Sequence, residues 1–279
     1  PDNFGSIVAF RGKEPAPEDA RRLRAQKFDV GFTLSPSFRS AWLLHRLGVT
    51  RRYGFASDTR ALLLTRDTNK FRRQPYNRHE HRALAYLRLL NPLLAAGTIA
   101  EDLWEKYRNV KLTSLPFQTV EKKFSLRRNT QRVVVCPGST AASKKYPIGH
   151  VIRMIEMVAQ KKPAVEFVLL GGSKIKLRSL CAQTSLREAH TIIAWSRVAV
   201  ANDSGLAHIT SLTDSALVTF NGMGRREETS PLTRRKAFFD LQLDCSPCFA
   251  KTCPRKDQPL ACLTGIAPDT VAEAILHSL

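Results

Sequence analysis

The chain has 279 residues, of which 43% are hydrophobic, so it can bury a sizeable core and does not have the composition of a disordered protein. No apolar run approaches the ~18 residues that a membrane span needs, and the first residues lack the basic start and apolar stretch of a signal peptide. Lysine and arginine total 44 against 24 aspartate and glutamate residues, which gives a net charge of +20. We therefore expect a cytoplasmic protein with anionic partners: nucleic acid, lipid headgroups or phosphorylated substrates.

Short β-branched runs alternate with amphipathic stretches in the first half of the chain. Such runs predict strands, and apolar residues spaced three or four apart predict helices. Strands are predicted at residues 6–10 and 28–34, and helices at residues 17–27, 36–47 and 79–94. Residues 110–131 are rich in Thr, Ser, Pro and basic side chains, and we interpret them as the link between two lobes.

The second half is a more regular strand–helix series. Strands are predicted at residues 132–136, 165–170, 197–201 and 215–220, and helices from residue 147 onward and at residues 185–195, 204–212 and 268–279. This alternation implies a parallel sheet with helices on both faces. We predict an α/β fold with a first lobe at residues 1–120, a second lobe at 121–266, and a C-terminal helix at 267–279 that packs back toward the first lobe.

The loop at residues 137–147 follows a predicted strand and carries small, hydroxyl and lysine side chains. In open parallel sheets, ligands bind beyond the carboxyl ends of the strands. The hydroxyls of Ser139, Thr140 and Ser143 can bind phosphate oxygens, and a lysine supplies positive charge. The spacing of a Walker A loop is absent. The loop is either an anion-binding loop or a solvated polar connection.

A second loop, at residues 201–208, also follows a predicted strand and opens a helix. Asn202 or Asp203 can cap that helix, and the amides of residues 204–206 would point toward an anion. Asp203 would repel a phosphate, so it is better suited to orient the loop or to bind sugar hydroxyls. His208 is either a phosphate donor or an ordinary structural histidine, and its position in the turn favours the first interpretation.

In these segments the chain resembles the ADP-heptose:lipopolysaccharide heptosyltransferases, glycosyltransferase family 9, and in particular their heptosyltransferase II-like members. The resemblance runs from about Ser6 to the C-terminus. The similar motifs stand in the family's order and spacing, and they are Pro137-Gly138, Lys144-Lys145-Tyr146-Pro147, Leu169-Leu170-Gly171-Gly172, residues 184–188, residues 202–208 and Cys245-Ser246-Pro247-Cys248-Phe249.

The resemblance implies a GT-B architecture, in which two Rossmann-like lobes with parallel sheets hold the active site in the cleft between them. It implies transfer of heptose from ADP-L-glycero-D-manno-heptose to the lipid A–Kdo–heptose inner core of lipopolysaccharide, with no cofactor required. Donor-binding residues carried over by position are Ser139, Thr140, Lys144, Thr184, Asp203, Ser204, Gly205, Leu206 and His208. Thr184 would lie near the adenine, and the others near the diphosphate and heptose. Cations and helix-end amides suit this role because ADP leaves as an anion.

The N-terminal region departs from the family pattern. Family members begin with a Ser-Leu-Gly-Asp type of loop whose aspartate acts as general base, and this chain has no such loop. We therefore expect an incomplete N-terminal lobe and name no catalytic residue. An acid that would bind ribose is also missing after Gly171-Gly172.

For the phosphorylated acceptor, the resemblance points to Ser37, Arg39, Arg51 and Arg52, and the alternative is a solvated basic face. An anionic acceptor at the cytoplasmic face of the inner membrane would explain the net positive charge, with the protein peripheral to that anionic membrane surface.

Four of the six cysteines, Cys245, Cys248, Cys253 and Cys262, lie in one short segment. Their spacing can supply four thiolates to a structural zinc or an iron–sulfur cluster, although the prolines among them also suit a rigid loop with free or redox-sensitive thiols. The expected function requires no metal.

Two other functions remain open from the sequence. The first is a truncated nucleotide-sugar-binding homologue without turnover, which fits the missing N-terminal loop. The second is a basic nucleic-acid-binding protein, which would interleave aromatic and basic residues on one face. That pattern is not found, so we expect no specific nucleic acid.

Overall fold

The computed structural model describes residues 14–35, 37–56, 58–65, 79–94, 99–171 and 179–279. The chain divides into unit 1, Pro1–Trp104, and unit 2, Glu105–Leu279. The strand predicted at residues 6–10 lies outside the described residues, as do Gly172 and the two residues that follow it. The division falls earlier than the boundary predicted at residue 120.

Unit 1 contains two parallel strands with short helices around them in its described part. Its elements are α1 (Pro17–Ala25), β1 (Val30–Thr33), α2 (Phe38–Arg46), β2 (Arg51–Gly54) and α3 (Arg82–Arg88), and α4 (Ala100–Tyr107) crosses the division between the units. Strands β1 and β2 pair in parallel, with Val30 opposite Arg51. The helix predicted at residues 79–94 is shorter than expected, since a separate 3-10 turn follows α3 at Asn91–Leu93.

Unit 2 is built on a parallel sheet of strands in the order β4-β3-β5-β6-β7. The strands are β3 (Arg132–Cys136), β4 (Glu166–Leu169), β5 (Val198–Asn202), β6 (Ala216–Phe220) and β7 (Lys236–Phe239). The helices are α5 (Phe117–Phe124), α6 (Ile148–Lys161), α7 (Leu186–Ala194), α8 (Gly205–Thr210), α9 (Arg226–Thr229), α10 (Ala261–Thr264) and α11 (Pro268–Ser278). The predicted α/β class with parallel strands is confirmed.

The core of unit 2 lies on both faces of this sheet. Every residue of β3 is buried, and its side chains alternate between the two faces, with Val133 and Val135 on one and Val134 and Cys136 on the other. The first face packs against α6 and α11, and the second against α5, α7 and α8. Burial on both faces explains why these strands are continuous apolar runs in the sequence.

The interpretation of residues 110–131 as a link was wrong. Helix α5 lies within them, and its Phe117, Val120 and Phe124 are buried. These three positions share one helical face, and they form part of the core on the second face of the sheet. The Thr, Ser and Lys residues between them dilute the apolar pattern, which is why composition alone indicates a loop.

The C-terminal helix belongs to unit 2. Helix α11 packs against α6 and β6, with Val271, Ala272 and Ile275 buried. The sequence pattern predicts a helix separate from the second lobe, but its buried face completes the core on the first face of the sheet. No helix in the described ranges is long and apolar enough to cross a bilayer.

Candidate functional site

Two polar loops leave the unit 2 sheet side by side. Strands β3 and β5 pair in parallel, and Cys136 at the end of β3 lies opposite Ala201 near the end of β5. The loop at residues 137–147 and the turn at residues 203–208 therefore start at the same edge of the sheet. This is the edge where open parallel sheets bind ligands.

The two loops meet through one ion pair. The Lys144 ammonium Nζ lies 2.7 Å from Oδ2 of Asp203. The side chains are 27% and 15% exposed, so the pair is accessible to a ligand without being fully solvated. The structure therefore places the predicted cation beside the predicted turn, and the charge of Lys144 is held there by a carboxylate that an anionic ligand could replace.

The turn itself carries an unsatisfied hydroxyl and an open glycine. Ser204, rather than Asn202 or Asp203, is the N-cap residue of α8, and its side chain makes no capping hydrogen bond. The Ser204 Oγ atom is buried and has no hydrogen-bond partner among the described residues. A methyl group added at Gly205 would meet no atom within 4 Å. The turn thus leaves free space and a polar atom next to Asp203.

The next two residues of interest differ in exposure. Leu206 is half-buried and packs against the core on the second face of the sheet. His208 is exposed, on the second turn of α8. Leu206 therefore anchors the turn to the sheet, and its predicted contribution to a ligand site is through its backbone.

The loop at residues 137–147 uses its hydroxyls in two ways. Thr140 is exposed and Ser139 is half-buried. Ser143, in contrast, is 2% exposed, and its hydroxyl donates to the Ala250 carbonyl oxygen at 2.5 Å. The prediction that the Ser143 hydroxyl is available to phosphate was wrong, because a carbonyl from a distant segment already occupies it.

Thr184 lies next to the carboxyl end of β4. The amide of Ala182 donates to the carbonyl oxygen of Gly171 at 3.1 Å, which holds this segment beside the strand end. Helix α7 then begins with the predicted capping box of Ser185 and Glu188. Hydrogen bonds from Lys123 and Ser185 hold the pKa of Glu188 at about 2, so this carboxylate stays ionised. Thr184 is half-buried at the start of this fixed helix.

A third loop at the same edge was not recognised from the sequence. Asn221, Arg226 and Thr229 line a small cavity together with Asp203. The Arg226 guanidinium lies over the Phe238 ring, 4.7 Å from its centroid. The order of the strands could have indicated it. This loop follows β6, and β6 is the neighbour of β5 in the sheet, so the loop emerges next to Asp203.

The model of glycosyltransferase family 9 (heptosyltransferase) matches residues 19–258. The chain belongs to this family. Lipooligosaccharide heptosyltransferase 2 of Campylobacter jejuni serotype O:6 is 25% identical over an alignment of 292 positions that spans 97% of this chain and 82% of the relative. The predicted family is thereby confirmed, and the chain is a glycosyltransferase.

Solved structures of family members share the fold. Escherichia coli ADP-heptose LPS heptosyltransferase II aligns with a TM-score of 0.68 at 21% identity, and the alignment covers 93% of this chain and 79% of that chain. The E. coli heptosyltransferase WaaC with ADP aligns with a TM-score of 0.61 at 15% identity, covering 93% of this chain and 76% of that one. The predicted GT-B fold class of the family is confirmed by these similarities.

The four clustered cysteines line one small cavity in this family member. Cys245, Cys248, Cys253 and Cys262 surround it, and all of them are free thiols. Burial, followed by the charges of its cysteine neighbours, raises the pKa of the Cys262 thiol. No three His, Cys, Asp or Glu side chains within the described ranges are grouped so that they could hold a metal ion. The structure therefore gives no support to a structural zinc.

The residues predicted to bind the acceptor have different environments in unit 1. Ser37 is the N-cap of α2 and accepts a hydrogen bond from the Ser40 amide. Arg39 and Arg51 are exposed. Arg52 instead donates to the carbonyl oxygens of residues 49 and 63, each at 2.6 Å. The structure gives the Arg52 guanidinium a role in holding the backbone around β2.

Proposed function

We propose that this glycosyltransferase moves heptose from ADP-L-glycero-D-manno-heptose to the lipid A–Kdo–heptose inner core of lipopolysaccharide. The observation that carries the proposal is the 2.7 Å contact between Lys144 and Asp203 at the carboxyl edge of the sheet, beside a turn with free space at Gly205. The names of similar proteins support the choice of ADP-heptose as the donor. One is an ADP-heptose LPS heptosyltransferase, and another is a heptosyltransferase solved with ADP.

The proposed donor site works by charge replacement. On binding, the diphosphate takes the place of the Asp203 carboxylate as the partner of Lys144. The amides of the turn and the hydroxyls of Ser139, Thr140 and Ser204 then donate to the remaining phosphate oxygens. Asp203 is released to accept hydrogen bonds from the heptose. The positive charge of Lys144 stabilises the negative charge that develops on ADP as it leaves.

The proposed site assigns the remaining donor contacts by position. Thr184, beside the end of β4, contacts the adenine, and the exposed His208 donates to a phosphate oxygen.

The phosphorylated acceptor contacts Ser37, Arg39 and Arg51 in unit 1. Because the net charge is +20, we propose that the protein works at the anionic cytoplasmic face of the inner membrane, where this acceptor is presented.

Two measurements test the proposed function. Calorimetry is expected to show that ADP binds and that UDP, which lacks the adenine, binds more weakly. Incubation with ADP-heptose and a heptose-terminated inner-core acceptor is expected to add one heptose, detected by mass spectrometry, and an acceptor without its terminal heptose should gain none. Failure to bind ADP would refute the proposed donor site. ADP binding without heptose transfer would refute the proposed activity.

Substitution of Gly205 by alanine is expected to separate donor binding from folding. A methyl group meets no protein atom at this position, and alanine favours a helix over glycine by about 1 kcal/mol, so stability should be equal or higher. The methyl group would instead occupy the space beside the proposed diphosphate, and ADP affinity should fall roughly tenfold, equivalent to about 1.4 kcal/mol.

Gly149 provides the matched control, since it also has open space around it and lies in the first turn of α6. Gly149→Ala is expected to raise stability equally and to leave ADP affinity unchanged. If Gly205→Ala bound ADP as tightly as the unmodified protein in the same titration, the turn would not contact the diphosphate.

A further inference from the structure

The side chain of Asn202 joins both ends of the loop that carries Lys144. Asn202 is the last residue of β5 and is 1% exposed. Its Nδ2 donates to the Pro137 carbonyl oxygen at 2.7 Å, and its Oδ1 accepts from the Tyr146 amide at 3.0 Å. The two partners are nine positions apart in sequence and bracket the loop. A primary amide suits this position because it offers a donor and an acceptor from one planar group.

The same residue lies next to the other half of the proposed donor site. Asp203 follows Asn202 directly, and Asp203 is the ion-pair partner of Lys144. Asn202 therefore fixes the loop of residues 137–146 to the strand from which the turn begins. The Asn202 side chain that makes this connection is itself buried.

The middle of the loop is held from its opposite side. The Ser143 amide donates to the Lys251 carbonyl oxygen at 3.3 Å, and the Ser143 hydroxyl donates to the Ala250 carbonyl oxygen. A methyl group added at Gly222 would lie 2.5 Å from the Ser143 carbonyl oxygen, so glycine allows the close approach there. The loop is thus anchored at both ends by Asn202 and at its centre by the segment that contains the cysteines.

We propose that Asn202 is a positioning residue for the donor: it presets the separation between Lys144 and the turn at residues 203–208 without contacting the nucleotide sugar. This inference rests on the proposed donor site. When Asn202 holds both ends of the loop, little conformational entropy is lost as ADP binds. Without these two hydrogen bonds the ligand must order the loop, and ADP affinity falls although every ligand-contacting side chain is still present.

The test is ADP affinity and donor KM in Asn202→Ala. We expect both to worsen roughly 10- to 100-fold, because an error of about 1 Å in the placement of a binding group costs up to that much. The KM for the acceptor should stay unchanged. Hydrogen exchange at the Tyr146 amide should become faster, since this amide loses its acceptor, while the amides of β3 remain protected.

Ser215→Ala is the matched control for the stability lost with buried hydrogen bonds. Ser215 is 3% exposed, and its hydroxyl lies 2.5 Å and 2.7 Å from the carbonyl oxygens of Ile193 and Ser196. It precedes β6, at the opposite edge of the sheet from the donor site. We expect Ser215→Ala to lower stability to a similar degree and to leave ADP affinity intact.

Three outcomes decide the proposal. If Asn202→Ala binds ADP like the unmodified protein, or if Ser215→Ala weakens ADP binding equally, Asn202 has no positioning role. If the alanine variant does not fold, Asn202→Asp carries the test: it keeps the size and the acceptor for Tyr146, but its carboxylate cannot donate to Pro137 and adds a negative charge next to Asp203. Unchanged ADP affinity in that variant would also contradict the proposal. Lack of ADP binding by the unmodified protein would instead refute the proposed function.

Discussion

Substitution of Lys144 by alanine is expected to weaken ADP binding about 10- to 150-fold, which corresponds to the 1.5–3 kcal/mol of a hydrogen bond to a charged group. The ammonium is 27% exposed, at the edge where the loop and the turn meet. Its loss removes the cation proposed to neutralise the diphosphate, and it leaves the Asp203 carboxylate without this partner beside the same phosphates. Both effects lower ADP affinity, and calorimetry measures their sum.

The neighbouring lysine is the control for general charge effects. Lys145 is exposed, carries the same charge and belongs to the same loop. Lys145→Ala changes the net charge equally, so it should reproduce only the long-range part of the loss, which salt at 0.15 M largely screens beyond about 8 Å. If the two variants lose equal ADP affinity, the contribution of Lys144 is merely its charge at a distance, and the proposed contact is wrong.

A double-mutant cycle with Asp203→Asn resolves the two effects of the lysine. In the Lys144→Ala background, Asp203→Asn removes an uncompensated negative charge, so ADP affinity should partly recover. In the unmodified background the same change releases Lys144 but removes the proposed partner of the sugar, so ADP-heptose should bind less well relative to ADP. The non-additivity of the two substitutions measures the coupling that the 2.7 Å contact implies.

The strands of unit 2 and the meeting of the two loops could be predicted from the sequence. Residues 132–136 were predicted as a strand, and β3 has the same bounds, because a strand buried on both faces is a continuous apolar run. Parallel strands place their carboxyl ends at one edge. Loops that follow neighbouring strands must therefore emerge together, and this geometry brings residues 144 and 203 within contact distance.

The partners of polar side chains could not be predicted in the same way. A serine or an arginine in a polar loop looks the same in the sequence whether its partner is a ligand phosphate or a backbone carbonyl. Ser143 bonds to a carbonyl 107 positions away, and Arg52 bonds to carbonyls around its own strand. Asn202 was considered as a helix cap, yet its amide is used to close a loop that precedes it by more than 50 residues. Such choices depend on tertiary packing, which single-sequence patterns do not contain.

Breaking the buried ion pair between Arg132 and Glu166 is expected to destabilise unit 2. The Arg132 Nη2 and Glu166 Oε2 atoms are 2.7 Å apart, and the side chains are 2% and 4% exposed. The two residues lie opposite each other on β3 and β4. Arg132→Leu leaves the carboxylate buried without its main partner, and breaking such a pair costs about 3–5 kcal/mol. Urea unfolding followed by circular dichroism should show this loss as a lower midpoint.

The double variant Arg132→Leu/Glu166→Leu distinguishes the ion pair from simple packing. Apolar replacement of both partners removes the uncompensated charge, so the double variant should be more stable than Arg132→Leu alone. It will not reach the stability of the unmodified chain, because Arg132 also donates to the carbonyl oxygens of Arg127 and Trp195, at 2.7 Å and 3.2 Å, and leucine cannot. Both variants lack these carbonyl contacts, so a double variant less stable than the single one would mean that the unpaired Glu166 charge does not decide the cost. The pair lies at the start of β3 and β4, away from the loops that follow the strands, so the folded fraction of either variant should keep the ADP affinity of the unmodified protein.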